Sequence, residues 1–309
     1  MLIKIQTVHN KKLKRFLEHS VYLLIVFILV PGFVYFELCV VLPTVVETWT
    51  VPYIIHYVCA AFLLYNIVGN LICGMFTDTS IRGKILECEF KENWTMCTVC
   101  ECPRPPRAWH CDTCDTCIIK RDHHCTFFAC CVGYYNHRYF MFFTLYTFIA
   151  MVYAFSYNVI FLCNFTRWNH GLILAKFALP LVSFVIDFGE ETLYVFLIEL
   201  NFIIGAFTGA LFIFHFNNIL NGRITPEKKD SNKVVSYDNG TKQNIIEVFG
   251  HKWYLSWISP FINSPLPGNG VKQFRNPSRT NNVTRTLHIL RYNTKIKIII
   301  YIIFNKMRT

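Results

Sequence analysis

Long apolar runs punctuate this chain, and polar stretches of very different character separate them. A helix needs about 20 apolar residues to cross the hydrocarbon core of a bilayer. Four runs reach that length: about Val21 to Leu42, Pro52 to Phe76, Tyr139 to Cys163 and Leu193 to Phe216. The pattern predicts an all-α membrane protein with four transmembrane helices. A fifth run, Gly171 to Phe188, carries Lys176, Pro180 and Asp187 and reads as a re-entrant or interfacial segment. Parity supports that reading, because a fifth crossing would put the chain after Phe216 on the side opposite residues 77–138. The first run is longer than a signal h-region and no A-x-A-like site follows it, so no cleavable leader is expected.

Composition agrees with a membrane solvent. Hydrophobic types make up 53% of the 309 residues and charged types only 16%, against roughly a quarter charged in soluble domains. The net charge of +11 is unevenly placed. Residues 1–20 hold 5 Lys and Arg, the loop after the first run none, residues 77–138 hold 8, the loop after the third run 2, and residues 217–309 hold 15. The positive-inside bias therefore places both termini and residues 77–138 in the cytosol. The expected organisation is a cytosolic tail (1–20), helices one and two (21–76), a small cytosolic cysteine-rich domain (77–138), helices three and four with a luminal loop (139–216), and a cytosolic tail (217–309). The basic residues flank apolar spans and form no stripe on a soluble module. The expected partner is the lipid bilayer with its anionic headgroups, not nucleic acid.

Ten of the 14 cysteines lie between Cys88 and Cys131. Interleaved histidines and a reducing compartment favour metal ligation over disulfides. The series runs Cys97-x2-Cys100-x9-His110-Cys111-x2-Cys114-x2-Cys117-x4-Asp122-His123-His124-Cys125-x5-Cys131. Zinc takes four donors in a tetrahedron, and a Cys-x2-Cys turn offers two thiolates to one ion. Two Cys3His sites consume six cysteines and two histidines. With Cys130 or Cys102 set aside as a spare, one cysteine and one histidine remain, and they sit together in Asp122-His123-His124-Cys125. Carboxylate, imidazole and thiol are the parts of an activated nucleophile. A free thiol near pKa 8.5 is mostly protonated at cytosolic pH, so an adjacent imidazole that takes its proton matters, as does a carboxylate that fixes the ring's tautomer. A thiolate suits thioester exchange, which costs little net free energy. Cys125 lies 14 residues before Tyr139, close to the cytosolic face, where a lipid-tailed donor can keep its chain among the helices.

This stretch, from Cys97 through Cys131-x4-Asn136-x3-Phe140, resembles the cysteine-rich domain of the Asp-His-His-Cys (DHHC) protein palmitoyltransferases. The four-helix layout, with this domain between helices two and three, extends the likeness to most of the chain. The resemblance implies two structural zinc ions. Cys97, Cys100, His110 and Cys117 would hold one; Cys111, Cys114, His124 and Cys131 would hold the other. It implies Cys125 as nucleophile, His123 as base and Asp122 as orienter. It further implies palmitoyl-CoA or another long-chain acyl-CoA as co-substrate, and membrane-associated proteins with cytosolic cysteines as acceptors, at the Golgi or endoplasmic reticulum. Four positions depart from the family pattern: Thr126-Phe127 where Pro-Trp is usual, Cys130 where Asn is usual, Asp78-Thr79-Ser80 for Asp-Pro-Gly, and Ile224-Thr225-Pro226-Glu227 for Thr-Thr-x-Glu. The C-terminal family motif is recognisable in Asn244 to Gly250. The likeness is to a divergent branch.

Arg104, Arg107, Lys120 and Arg121 are candidates for the CoA phosphates, with a solvated basic face as the alternative. Glu37 and Glu199 lie near the luminal ends of their helices and are expected to reach the luminal surface. Asn66 and Asn70, spaced i and i+4, are expected to join helices. Asn263 to Asn282 reads as loop. The terminal run Lys295 to Phe304 is too short to span. The sequon Asn164-Phe165-Thr166 hugs the membrane and is not expected to be glycosylated. Two other functions stay open: a weak or inactive zinc-stabilised membrane adaptor, and a transporter using intramembrane polar residues.

Overall fold

A computed structural model describes residues 24–82, 94–165, 189–229 and 237–271, with isolated positions between 13 and 20 and between 176 and 185. Most of the 171–188 run, the Thr166 end of the sequon, Cys88 and the 295–304 run lie outside the described residues.

Four helices are long and apolar enough to cross a membrane. The first, α1, is the succession Ile25–Leu29, Val30–Tyr35, Phe36–Val41 and Leu42–Val45. Ile25–Leu29 and Phe36–Val41 wind as π-helix. Each of these wider stretches precedes a proline, Pro31 or Pro43, and contains the residue four before it. A proline ring clashes with that residue's carbonyl and removes one helical N–H, and local π-winding relieves both effects. The helix ends at Val45, past the expected Leu42. The second, α2, is Val51–Phe76, with Pro52 in its first turn, where a missing N–H costs nothing. The third, α3, is His137–Phe165, and the fourth, α4, is Glu190–Leu220.

Between α2 and α3 lie three short antiparallel hairpins: β1 (Thr95–Cys97) with β2 (Cys102–Arg104), β3 (Trp109–Cys111) with β4 (Thr116–Ile118), and β5 (His123–Cys125) with β6 (Cys130–Val132). Two-stranded pairs of this length are not stable alone, so something must cross-link them. The chain leaving α2 adds one tie: Ile81 N–H donates to the Cys117 carbonyl (2.9 Å) and Ile119 N–H to the Thr79 carbonyl (3.1 Å). At Gly74 on α2 the ring of Phe128 lies where any β-carbon would have to go. This close approach locks the loop after Cys125 onto the end of α2. Phe128 is fully buried, which stabilises the contact by about 1.5–3 kcal/mol.

After α4 come α5 (Thr225–Lys229), α6 (Thr241–Phe249) and α7 (Trp253–Ser256). The 237–271 segment straps the helices together. Asn244 Nδ2 donates to the Leu220 carbonyl (2.9 Å), Tyr134 O–H to the Pro267 carbonyl (2.6 Å) and Arg138 to the Ser264 carbonyl (3.0 Å). Asn66 and Asn70 are buried. Asn66 donates to the Phe62 carbonyl of its own helix (3.1 Å) and towards the Ile258 carbonyl (3.4 Å), so it ties α2 to this strap. Glu37 departs from the expected reach to the lumen. Its Oε1 accepts from Asn158 Nδ2 of α3 (2.8 Å), because an intramembrane carboxylate gains more from a donor inside the bundle.

Candidate active site

Strand alternation sorts the cysteines and histidines. Successive side chains on a strand face opposite ways, and directly paired residues share a face. His110 pairs with Cys117 across β3 and β4, so both face one way and Cys111 faces the other. Together with the Cys97-x2-Cys100 turn, His110 and Cys117 form one cluster. Cys111 and Cys114 join His124 and Cys131, themselves paired across β5 and β6, in a second. Within each set the four donor atoms lie within 4.8 Å of one another. His124 Nδ1 is 3.6, 3.3 and 3.6 Å from the sulfurs of Cys111, Cys114 and Cys131. His110 Nδ1 is 3.3 Å from Cys100 Sγ and 3.8 Å from Cys97 Sγ. Zn–S bonds of about 2.3 Å and Zn–N bonds of about 2.0–2.1 Å put tetrahedral ligand edges at roughly 3.6–3.8 Å. Three thiols and an imidazole at these spacings fit zinc, and they are the two sets that the resemblance implies. In both turns the second cysteine's N–H points at the first sulfur, at 3.4 Å for Cys97 and 3.5 Å for Cys111.

The same alternation frees the other face of β5. His123 and Cys125, two apart, point away from His124 and the metal side. Cys125 is buried in an apolar cluster with Leu71, Phe128, Phe140 and Met141. His123 Nδ1 meets Asp122 Oδ2 at 2.7 Å, and its ring packs edge-on against Phe140. Asp122 is itself held from afar: Thr225 N–H donates to Oδ1 (2.9 Å) and Thr225 O–H to Oδ2 (3.0 Å). Burial opposes the Asp122 charge, but the His123 hydrogen bond and the nearby His215 outweigh it and hold the carboxyl well below its usual range. Thr225 arrives there because Gly222, at φ +63°, ends α4 in the left-handed conformation. Arg223 N–H then donates back to the Asn218 carbonyl (2.8 Å) and Gly222 N–H to that of Ile219 (2.9 Å). A β-carbon at Gly222 would collide with the Tyr237 carbonyl and Asp238.

A family model described as DHHC palmitoyltransferase matches residues 90–232. The probable palmitoyltransferase ZDHHC24 of Mus musculus is 31% identical over 231 residues, covering 73% of this chain and 80% of that protein. ZDHHC24 of Danio rerio, also named a probable palmitoyltransferase, is 35% identical over 225 residues, covering 70% and 74%. The chain belongs to the DHHC palmitoyltransferase family. The palmitoyltransferase ZDHHC22 of Mus musculus is a more distant relative, at 26% identity over 217 residues, 69% of this chain and 79% of that one. Membership makes the chain an acyltransferase of the membrane-embedded DHHC type.

Within this DHHC domain the basic candidates divide. Arg107 is buried, with Nε 2.7 Å from Glu227 Oε1 and a second nitrogen donating to the Gly222 carbonyl (3.0 Å). Lys120 is buried 3.0 Å from Glu247. Burial pushes the Lys120 ammonium down, and Glu247 opposes that shift. The two residues form no solvated face, and their charges are paired inside the fold. Arg104 is half-buried, bonded to Thr95 Oγ1 (3.0 Å) and stacked over Trp109. Arg121 donates to Cys131 Sγ (3.4 Å). In the altered Thr-Thr-x-Glu segment the two retained residues make the contacts: Thr225 holds Asp122, and Glu227 holds Arg107. Ile224, at the changed position, is fully buried.

Cys130 belongs to neither donor set. Its thiol lies 3.7 Å from the Gly74 carbonyl and 3.8 Å from Asn136 Nδ2, and burial pushes its pKa up to about 12. Cys130→Asn is expected to keep two zinc ions per chain and self-acylation within about twofold of wild type, since Cys130 is in neither donor set and an Asn amide can donate to the Gly74 carbonyl that the thiol now faces. Metal analysis and labelling check this, and loss of one zinc would make Cys130 a ligand. Sequence reasoning missed His137 and His215. The signal for His215 was present: a histidine deep in an otherwise apolar run is a functional candidate by default.

Proposed function

We propose that this enzyme is a protein S-acyltransferase that carries a long-chain acyl group on Cys125. The Cys125 thiol gives its proton to His123, whose ring is held by Asp122. The thiolate attacks the thioester carbonyl of a long-chain acyl-CoA such as palmitoyl-CoA. A bond forms between Cys125 Sγ and the acyl carbon, and the bond from that carbon to the CoA sulfur breaks. CoA leaves and takes the proton from His123. A cysteine thiol of a membrane-associated protein then gives its proton to His123 and attacks acyl-Cys125, and Cys125 leaves with that proton. Each half exchanges one thioester for another, so no external energy is required.

The observation that carries this reading is the segregation on β5 and β6. One face supplies donors to a metal cluster, while the opposite face bears His123 and Cys125 against apolar residues of α2 and α3. Zinc, when bound, cross-links the hairpins and adds positive potential near the thiol. The apolar wall suits an acyl chain entering from the bilayer. Arg104, Arg107, Lys120 and Arg121 are the residues proposed for CoA phosphates, with Arg104 and Arg121 the two whose charges no carboxylate pairs among the described contacts. The distribution of Lys and Arg supports a cytosolic zinc domain with cytosolic termini; the Golgi or endoplasmic reticulum membrane is proposed from the family resemblance alone.

The test is incubation of purified protein with a clickable palmitoyl-CoA analogue. A hydroxylamine-labile label near one per chain, with matching CoA release, is expected. Zinc-loaded protein that takes no label would be an adaptor instead.

A further inference from the structure

Two imidazoles from membrane helices crowd the carboxylate that orients His123. His215 lies on α4, ten residues before Thr225, and is buried. Its Nδ1 is 3.1 Å from Asp122 Oδ2, in contact with the carboxylate but without a hydrogen bond. Its ring centroid is 5.0 Å from that of His123 and 5.0 Å from that of Phe140. His137, the first residue of α3, is also buried, and neither of its ring nitrogens has a hydrogen-bond partner. Donor atoms of Asp122, His137 and His215 lie within 4.8 Å of one another.

Two imidazoles and a carboxylate also make a metal donor set, so the choice must be argued. A carboxylate offers about four acceptor sites. Its Oδ2 already accepts from His123 Nδ1 and the Thr225 hydroxyl, and its Oδ1 accepts the Thr225 N–H. Both acceptor sites of the oxygen nearest His215 are therefore taken, which leaves none on Oδ2 for an ion. Contacts within the chain account for this oxygen, and His215, 3.1 Å from it, packs on it from inside the membrane bundle.

We propose that His215 is a positioning residue for acyl transfer, holding Asp122 from α4 so that its Oδ2 stays on His123 Nδ1. The inference rests on the proposed role of His123 as base. An Asp122 contact on Nδ1 keeps the His123 proton there and leaves Nε2 to receive the thiol proton. Asp122 sits in a small loop-rich hairpin, whereas His215 sits on a 31-residue helix. The carboxylate is held from both sides of the turn at Gly222, by His215 of α4 before it and by Thr225 at the start of α5 after it. The rigid membrane helix thereby sets the geometry of a catalytic group in the zinc domain.

The experiment compares single-turnover acylation by palmitoyl-CoA in wild type, His215→Ala, His215→Asn and His215→Gln. An Asn amide nitrogen occupies nearly the place of histidine Nδ1, whereas that of Gln reaches one bond further. His215→Ala is expected to slow acylation about 10- to 100-fold, a share of the roughly 10²–10⁴ that a positioned base contributes. The KM for acyl-CoA and the zinc content should not change. Asn should restore most of the rate, and Gln should not. In an Asp122→Asn background, His215→Ala should cost almost nothing more, because it acts through that carboxylate. Equal losses in Ala and Asn, or full additivity with Asp122→Asn, would overturn the proposal. So would a third metal ion in wild type that disappears with His215. Wild-type protein that takes no label would overturn the acyl-transfer reading itself, and this inference with it.

Discussion

Replacing Cys125 with serine is expected to abolish both self-acylation and transfer to substrate proteins. The change is nearly isosteric, and Cys125 lies on the face of β5 opposite His124, so neither metal cluster loses a donor. What changes is acidity. A free thiol titrates near pKa 8.5, whereas a hydroxyl is far less acidic, so His123 can no longer generate the attacking anion. The apolar residues around position 125 add to the loss, since a charged oxygen is costly to form among Leu71, Phe128 and Phe140. A fall of at least about 10³-fold, or about 4 kcal/mol of barrier, is expected in labelling by a clickable palmitoyl-CoA. Zinc content and detergent-stable folding should be retained. A serine variant that takes up hydroxylamine-labile label at the wild-type level would show that the acyl group rides elsewhere.

The second large effect is structural. Cys111→Ser is expected to remove zinc and folding together. The cysteine-rich region has three hairpins with strands of three residues each, and such pairs do not persist in water. Structural zinc in small domains contributes about 10–16 kcal/mol of apparent binding free energy, which is folding free energy when no site exists in the unfolded chain. Hairpin β3–β4 serves both clusters, His110 and Cys117 on one face and Cys111 on the other. Loss of one cluster therefore loosens the other. Metal analysis should give fewer than two zinc ions per chain, and size-exclusion chromatography should show aggregated protein. A monodisperse, fully active Cys111→Ser protein with unchanged zinc would refute the ligand assignment.

The buried ion pairs explain why some residues were not legible in advance. Arg107 and Lys120 lie in a basic stretch, where exposure is the ordinary expectation. Their partners Glu227 and Glu247 follow more than 100 residues later, beyond α3 and α4. Nothing local marks that pairing. Glu37 is similar: its position near a helix end pointed to the lumen, and only the packing of α1 on α3 supplied Asn158. His215 is the opposite case, since a polar residue in an apolar run is a local signal.

By itself the sequence determined what depends on length and on donor count. Runs of about 20 apolar residues must cross the membrane, since an unsatisfied backbone in lipid is costly. Cysteine and histidine at metal-binding spacing announce zinc, and one thiol beyond those needed announces reactivity. The prolines of α1 mark where that helix widens. The tertiary structure decided everything that requires two distant segments to meet. Hairpin register sends His124 to the metal side and His123 to the other, because adjacent strand residues face opposite ways. The turn at Gly222 brings Thr225 to a carboxylate 103 residues earlier in the chain. Packing of α4 sets His215 beside the same oxygen. Such contacts follow from the shape of the assembled bundle, which no local pattern encodes.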